Sequence, residues 1–300
     1  MTNPDQIDLS LVIPVWNEAT ALRQLQQELS AVLIPLNLRT EIIFADDGSG
    51  DPTWQTLGEL VAIDPQVRAV RMRRHLGKSA ALTAALKRAR GEAIITLDGD
   101  LQDDPAELPK FLDKLGEGFD LVCGWKAHRC DPASKRWASR IFNSVVSAVT
   151  GLHLHDHNCG FRAMRRQVAR EVKLYGELHR FLPVLADSRG FRVTEIEVNH
   201  RARPFGRSKF GFERYLRGAF DLFTVLLITH YRSRPLHLFG GLGLASFILG
   251  LLFLIPRLNL LSLWLCLSAV IFFCTGVIAE LQVNAQPAHE EEAVAEELPR

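Results

Sequence analysis

The sequence is poor in the features that mark several large classes of protein. Its five cysteines are odd in number, and no pair has Cys-x-x-Cys spacing. That argues against a disulfide scaffold or a zinc knuckle and for a reducing compartment. A formal net charge of +1 leaves no basic excess of the kind that coats nucleic acid. The first residues, Met1-Thr2-Asn3-Pro4-Asp5-Gln6, lack the basic start and apolar core of a secretory leader, so the N-terminal part is expected in the cytosol. There is no internal repeat. Gly77-Lys78-Ser79 ends like a phosphate-binding P-loop, but Met72 stands where that loop needs glycine, which excludes a P-loop ATPase.

What is present is an alternation. Ile7–Val15, Glu41–Ala45, Val67–Met72, Glu92–Leu97 and Phe119–Cys123 read as strands. Between them, Glu18–Ile34, Pro52–Ile63, Gly77–Arg90 and Pro105–Leu115 have helical spacing, the last with proline in its first turn. Such an order predicts an α/β fold, a mostly parallel sheet with helices on both faces. Ligands of such sheets bind beyond the C-terminal ends of the strands. Asn17 and Glu18 follow the first strand, Asp46 and Asp47 the second, and Asp98 and Asp100 the fourth. Three distant acidic segments are thus expected in one crevice.

Asp98 and Asp100 offer two carboxylates from a turn at Gly99, and Gln102 adds an amide oxygen. Hard divalent cations take such oxygens, and a cation there would stabilise a diphosphate leaving group such as that of a nucleotide sugar. The alternative is an acidic turn that only caps the helix near Pro105. Asp46 and Asp47 suit a base or ribose, or else form an ordinary turn with Gly48 and Ser49. Lys78, near a helix N-terminus, can approach a phosphate. One basic group holds Lys126, Arg129, Lys135, Arg136 and Arg140 with Ser134 and Ser139; a second holds Arg201, Arg203, Arg207 and Lys209. Both suit an anionic lipid headgroup, or a solvated face drawn to anionic lipids in general. His153, His155 and His157 alternate and would share a face on a strand, but no second cluster completes a metal site.

Leu236–Ile255 and Leu258–Ala279 are long apolar runs without a formal charge, separated by Pro256 and Arg257. As helices, each spans roughly 30 Å, the thickness of a bilayer core, so a two-helix transmembrane hairpin is expected. Arg232 and Arg234 before it favour a cytoplasmic flank. Phe212, Leu216, Phe220, Phe223 and Leu227 fall on one face of a helix lying at the interface or buried in the soluble domain. The end of the chain, with Glu290, Glu291, Glu292, Glu296 and Glu297, reads as disordered. The expected domains are 1–209 catalytic, 210–235 an amphipathic juxtamembrane helix, 236–282 two transmembrane helices and 283–300 the acidic tail.

Pro14-Val15-Trp16-Asn17-Glu18, Asp46-Asp47-Gly48-Ser49 and the Asp98–Pro105 segment resemble the family 2 glycosyltransferases, whose fold is GT-A. Asp156-x-x-Cys159-Gly160-Phe161-Arg162, Tyr175-Gly176-Glu177-Leu178-His179-Arg180-Phe181 and His200-Arg201-x-Arg203-x-x-Gly206-x-Ser208-Lys209 resemble the dolichyl-phosphate mannose synthase-like branch. Within it, the bacterial undecaprenyl-phosphate glycosyltransferases with a C-terminal hairpin are similar over roughly residues 7 to 280. The resemblance implies a nucleotide site of Pro14, Asn17, Glu18, Asp46, Asp47, Lys78 and Asp98. Mg2+ or Mn2+ would sit at Asp98, Asp100 and Gln102. Lys126, Arg129, Arg136, Ser139, Arg203, Ser208 and Lys209 would receive the acceptor phosphate. Catalysis would fall to Asp98, Asp100, Arg129 and Asp156, the last orienting acceptor or sugar, or else supporting the Gly160 turn. Lys126 stands where relatives often have arginine, and the acidic tail is unlike the family.

The implied reaction is metal-dependent, inverting transfer of a sugar from a UDP- or GDP-linked donor to polyprenyl phosphate. The implied protein is an integral protein of the cytoplasmic membrane with its catalytic domain in the cytosol. An acceptor monoester is largely dianionic at neutral pH, its second pKa being about 6, and needs no strong base. Another acceptor, a metal-dependent nucleotidyltransferase and a non-enzymatic nucleotide-sugar sensor are the alternatives. The oligomeric state, a homo-oligomer included, is left open.

Overall fold

The computed structural model describes residues 7–127, 133–202, 204, 213–229, 267, 278 and 294–298. The chain divides into two compact units, Met1–Gly218 with Glu290–Arg300, and Ala219–His289.

The first half of the larger unit follows the expected alternation. β1 (Leu9–Val15), α1 (Ala19–Leu36), β2 (Thr40–Asp46), α2 (Thr53–Ile63), β3 (Val67–Met72), α3 (Lys78–Arg88) and β4 (Ala93–Thr96) succeed one another. β1 pairs in parallel with β2 and β4, and β2 with β3. β1 and β2 are buried almost throughout, as strands covered on both faces must be. α1 presents Ala21, Leu22, Leu25, Leu29 and Leu33 inward, a three- and four-residue spacing that makes one apolar stripe. That stripe joins Leu11, Ile13, Phe44 and Phe111 in one core. α1 stops at Asn37, whose left-handed backbone turns its N–H onto the Ile34 carbonyl.

The second half departs from simple alternation. A 3-10 turn at Pro105–Glu107 leads into α4 (Leu108–Gly116), β5 (Leu121–Trp125), α5 (Ala133–Thr150), β6 (Arg162–Arg165), α6 (Arg166–Glu171), α7 (Leu182–Asp187) and β7 (Val193–Glu197). β6 inserts between β4 and β5, antiparallel to both, and β7 runs parallel to β5. The expected fifth strand therefore does not lie beside the fourth. The strand between them comes from the excursion after α5, which fastens to β4 where the Thr96 hydroxyl donates to the Gly160 carbonyl at 2.7 Å.

The tail also differs from expectation. Val294–Leu298 forms β8, antiparallel to β3, and completes the order β7-β5-β6-β4-β1-β2-β3-β8. Composition predicts disorder because acidic side chains bury no core. An edge strand needs only backbone donors and acceptors, and the outer edge of β3 offers them. The helix expected before the membrane forms as α8 (Glu213–Thr229). Its stripe is not uniform, since Leu227 is buried while Phe220 is 70% exposed. Leu236–Ile255 and Leu258–Ala279 lie outside the described residues apart from Leu267 and Ile278, and no described helix is long and apolar enough to cross a membrane.

One buried charge ties the N-terminal edge of the sheet. Glu41, fully buried on β2, accepts from the Ser10 hydroxyl at 2.6 Å, the Arg90 backbone N–H at 2.7 Å and the Arg68 guanidinium at 2.8 Å. Ser10 in turn accepts the Gly91 N–H at 2.8 Å, so β1, β2, β3 and the start of β4 share one knot. Burial alone would raise the Glu41 carboxyl, but these hydrogen bonds outweigh it and hold it below its ordinary value. A carboxyl lowered on folding stabilises fully above its unfolded pKa and loses that contribution as pH falls through the folded one. Glu41→Gln is expected to cost about 2 kcal/mol, tempered by screening at the half-exposed Arg90. Thermal unfolding should show the deficit at pH 7 and a smaller one near pH 3.

Candidate active site

The loops after β1 and β2 are sewn together before they can bind anything. Asn17 takes a left-handed backbone at φ 53, which turns its side chain toward the second loop. Its Oδ1 accepts the Gly50 N–H at 2.9 Å, and its own N–H donates to the Ser49 hydroxyl at 2.9 Å. The Glu18 N–H donates to the Thr53 hydroxyl at 3.0 Å. Asp46 is fully buried; Oδ1 accepts the Ser49 N–H at 3.0 Å and Oδ2 lies 3.4 Å from Arg71 Nε. Asp47 accepts the N–H groups of Leu76 at 2.8 Å and Gly77 at 2.9 Å, and meets His75 Nδ1 at 2.8 Å. Burial raises the Asp47 carboxyl against those donors. His75 stacks on Trp16, ring centroids 4.1 Å apart. Of the expected nucleotide residues, Asn17 and Asp47 are thus engaged in shaping loops, and Asp47 anchors the segment that delivers Lys78.

The turn after β4 carries the densest charge. Asp103, buried, accepts the Asp98 N–H at 3.0 Å through Oδ2 and faces Lys126 Nζ at 2.7 Å through Oδ1. Lys78 Nζ makes an ion pair with Asp98 Oδ1. Asp98 keeps 35% of its side chain exposed, while Lys126 keeps 12%. Desolvation would raise the Asp98 carboxyl, but the charges of Lys78 and Lys126 bring it down to about 2. Burial would lower the Lys126 ammonium, yet Asp103 raises it well above its ordinary value. Asp100 Oδ1 accepts the Gln102 N–H at 3.2 Å, and the Gln102 carbonyl accepts from Arg201 at 2.9 Å. Asp104 caps the following turn through the Ala106 N–H at 3.0 Å, which leaves capping to Asp104 and not to Asp98 or Asp100.

A shallow cleft opens here, lined by Pro14, Lys78, Asp98, Asn158, Gly160 and His179, among others. Its floor is held by Arg162, a buried guanidinium that donates to the carbonyls of His179 at 2.6 Å and His157 at 2.8 Å. His179 Nδ1 is 2.9 Å from the Ser79 hydroxyl. Burial, with Lys78 and Arg180 nearby, lowers the His179 imidazole well below its ordinary range and keeps it uncharged at neutral pH. Asp156 is buried and its Oδ1 accepts the Asn158 N–H at 3.1 Å, within the turn that leads to Gly160.

Among the described residues, the other expected ones are not gathered in one place. The three alternating histidines do not lie on a strand and so do not share a face. His155 stacks on Trp125 and meets Glu195, whereas His157 is buried 3.0 Å from the Ser147 hydroxyl. Among the described residues no group of three or more His, Cys, Asp or Glu side chains is placed to hold a metal ion. Lys126, expected at the acceptor phosphate, lies 2.7 Å from the buried counter-charge of Asp103. Arg136 and Ser139 fall on α5, while Arg129, Arg203, Ser208 and Lys209 lie outside the described residues. Cys123 and Cys159 are free and buried, and burial pushes both thiols up to about 12, so neither is a nucleophile at neutral pH.

The Lys78–Asp98 pair lies in a cleft beyond the C-terminal ends of β1 and β4, where ligands of such sheets bind. Residues 10–173 match the family model Glycosyl transferase family 2. The chain belongs to the family 2 glycosyltransferases. It is 34% identical over 299 residues to dodecaprenyl-phosphate galacturonate synthase of Rhizobium johnstonii, covering 92% of this chain and 87% of that protein. It is 37% identical over 281 residues to undecaprenyl-phosphate 4-deoxy-4-formamido-L-arabinose transferase of Pseudomonas aeruginosa, covering 91% and 83%. Among solved structures, glucosyl-3-phosphoglycerate synthase from Mycobacterium tuberculosis, in complex with Mn2+, UDP and phosphoglyceric acid, superposes with a TM-score of 0.57. That likeness, at 19% identity over 74% of this chain and 78% of the other, shows a shared GT-A-like fold.

In this glycosyltransferase, Asp103 and His179 were not singled out from sequence. Both lie inside motifs that mark the family, Asp98–Pro105 and Tyr175–Phe181, and that position was the available signal. Gly160 is explained by proximity. A Cβ there would lie 2.9 Å from Lys78 Nζ and 3.0 and 3.1 Å from the two Asp98 carboxylate oxygens. The atoms that would have to move are the ends of side chains. Gly160→Ala is therefore expected to unfold at the wild-type temperature yet lose at least about tenfold in turnover through misplacement of the ion pair. Thermal unfolding and a transfer assay on the same preparation check both halves.

Proposed function

We propose that the protein transfers a sugar from a UDP- or GDP-linked donor to a polyprenyl phosphate, with inversion at the anomeric carbon. The geometric observation that carries this reading is Asp98, half open to the cleft and faced by Lys78 with Lys126 close by. The relatives named above, aligned over nine-tenths of the chain, favour a polyprenyl phosphate as acceptor.

An acceptor phosphate oxygen attacks the anomeric carbon as the bond to the donor diphosphate breaks, and the nucleoside diphosphate leaves with its electron pair. The dianionic acceptor needs no strong base, so the protein's work is alignment and charge stabilisation. Asp98, Asp100 and Gln102 supply only oxygen donors, a set that fits Mg2+ or Mn2+. Bound there, the cation would neutralise charge growing on the leaving diphosphate. Pro14, Glu18 and Asp46 border the nucleotide, on loops that Asn17 and Asp47 hold in shape. Asp156 supports the turn that brings Gly160 over Asp98. Arg129, Arg136 and Ser139, with Arg203, Ser208 and Lys209, are assigned to the acceptor phosphate.

A membrane site follows from α5. Trp137 is 68% exposed, and Ile141, Val145 and Val149 are each more than 40% exposed at successive four-residue steps, while Asn143, Val146 and Thr150 on the other face are buried. Such a stripe suits the interface of a bilayer. With Leu236–Ile255 and Leu258–Ala279 as a hairpin, the catalytic domain stands on the cytosolic side of the membrane.

Purified protein given polyprenyl phosphate and a panel of nucleotide sugars should yield a glycosylated lipid, weighed by mass spectrometry. Asp100→Ala should abolish that product while thermal unfolding stays unchanged; full turnover of this variant with metal present would refute the metal assignment. Trp137→Gln with Ile141→Gln should lower turnover on the long-chain acceptor about tenfold, and leave a short, water-soluble acceptor phosphate unaffected. Equal losses on both acceptors would remove α5 from the membrane site.

A further inference from the structure

Lys78 is the first residue of α3, and its position is set from behind. Asp47 holds the N–H groups of Leu76 and Gly77, the two residues before it, so the backbone at Lys78 cannot drift. Its side chain is 32% exposed and free to turn about four carbon–carbon bonds, yet the ammonium lies on Asp98 Oδ1. The second ammonium near Asp98 differs. Lys126 is 12% exposed and lies 2.7 Å from fully buried Asp103, its own counter-charge. Gly160 lies close against the Lys78–Asp98 pair, and the side-chain ends there are the atoms that would have to shift if a Cβ were added.

An ammonium and a divalent cation crowded onto one carboxylate oxygen repel each other, so each weakens the other's hold there. The cleft already holds one positive charge at the place where the donor set invites another. We propose that Lys78 is a displaceable positioning residue: its ammonium occupies the cation's place at Asp98 in the free enzyme, and cation binding releases it to the diphosphate of the donor. This rests on the metal-dependent nucleotide-sugar reading above. One carboxylate is thereby neutralised at all times, first by lysine and then by the ion. The released ammonium also ties metal binding to donor binding, and linkage makes that coupling reciprocal.

The test uses full-length protein in detergent. Mn2+ binding without nucleotide is followed by the loss of the free-ion EPR signal, and UDP and GDP binding by calorimetry with Mn2+ present. The two measurements should move in opposite directions in Lys78→Met: Mn2+ alone binds about tenfold tighter, and the nucleoside diphosphate that wild type prefers binds at least about tenfold weaker. Lys78→Arg, which keeps the charge, should hold Mn2+ affinity near wild type. Weaker or unchanged Mn2+ binding in Lys78→Met overturns the exchange while leaving the metal site standing. If neither wild type nor variant takes up Mn2+ with or without nucleotide, the metal-dependent reading falls and the exchange falls with it. Lys78→Gln replaces Lys78→Met should the latter not fold, with the same outcomes.

Discussion

Two lysines and two aspartates in alternation decide the shape of this active site. Lys126 grips Asp103, Asp103 holds the backbone of Asp98, and Asp98 meets Lys78. Each carboxylate is partly or wholly removed from water, which would cost several kcal/mol if it stood alone. The ammonium groups offset that cost and keep Asp98 ionised at any pH near neutrality. A permanently charged carboxylate in a cleft is what cation-assisted departure of a diphosphate requires.

The rest of the larger unit can be understood as support for that chain of charges. Asp98 and Asp103 come from one turn after β4, so their relative placement is local. Lys126 lies just beyond β5 and Lys78 at the head of α3, and both must be brought from elsewhere. β5 reaches its place because β6 intervenes and pairs with both neighbours. α3 starts where it does because Asp47, at the end of β2, captures the loop ahead of it. Aspartates that read from sequence as ligands thus serve partly as clamps, since a buried carboxylate satisfies several backbone N–H groups at once.

Much of this was legible beforehand. The run from β1 to β4 followed from apolar strands alternating with helices of three- and four-residue periodicity, and the closeness of the loops after β1 and β2 followed from their parallel pairing. The order of β4, β6 and β5 was not legible, because Arg162–Arg165 is too short and too polar to announce itself as a central strand. The strand at Val294–Leu298 was missed because composition registers side-chain charge and says nothing of an open backbone edge. The alternating histidines misled for the opposite reason: their spacing suits a strand, but the segment lies in a loop.

By itself, the sequence determined the family, the α/β alternation and the presence of carboxylates with oxygen-only donors at the end of β4. These depend on short-range pattern, which survives without knowledge of distant contacts. Only the tertiary structure decided which lysine faces which aspartate, that Lys126 turns inward while Lys78 lies partly exposed on Asp98, and that Gly160 comes close enough to both that no Cβ fits without a shift. Those facts depend on electrostatic pairing between segments far apart in the chain, and a charge acquires its partner only when the fold sets the distance.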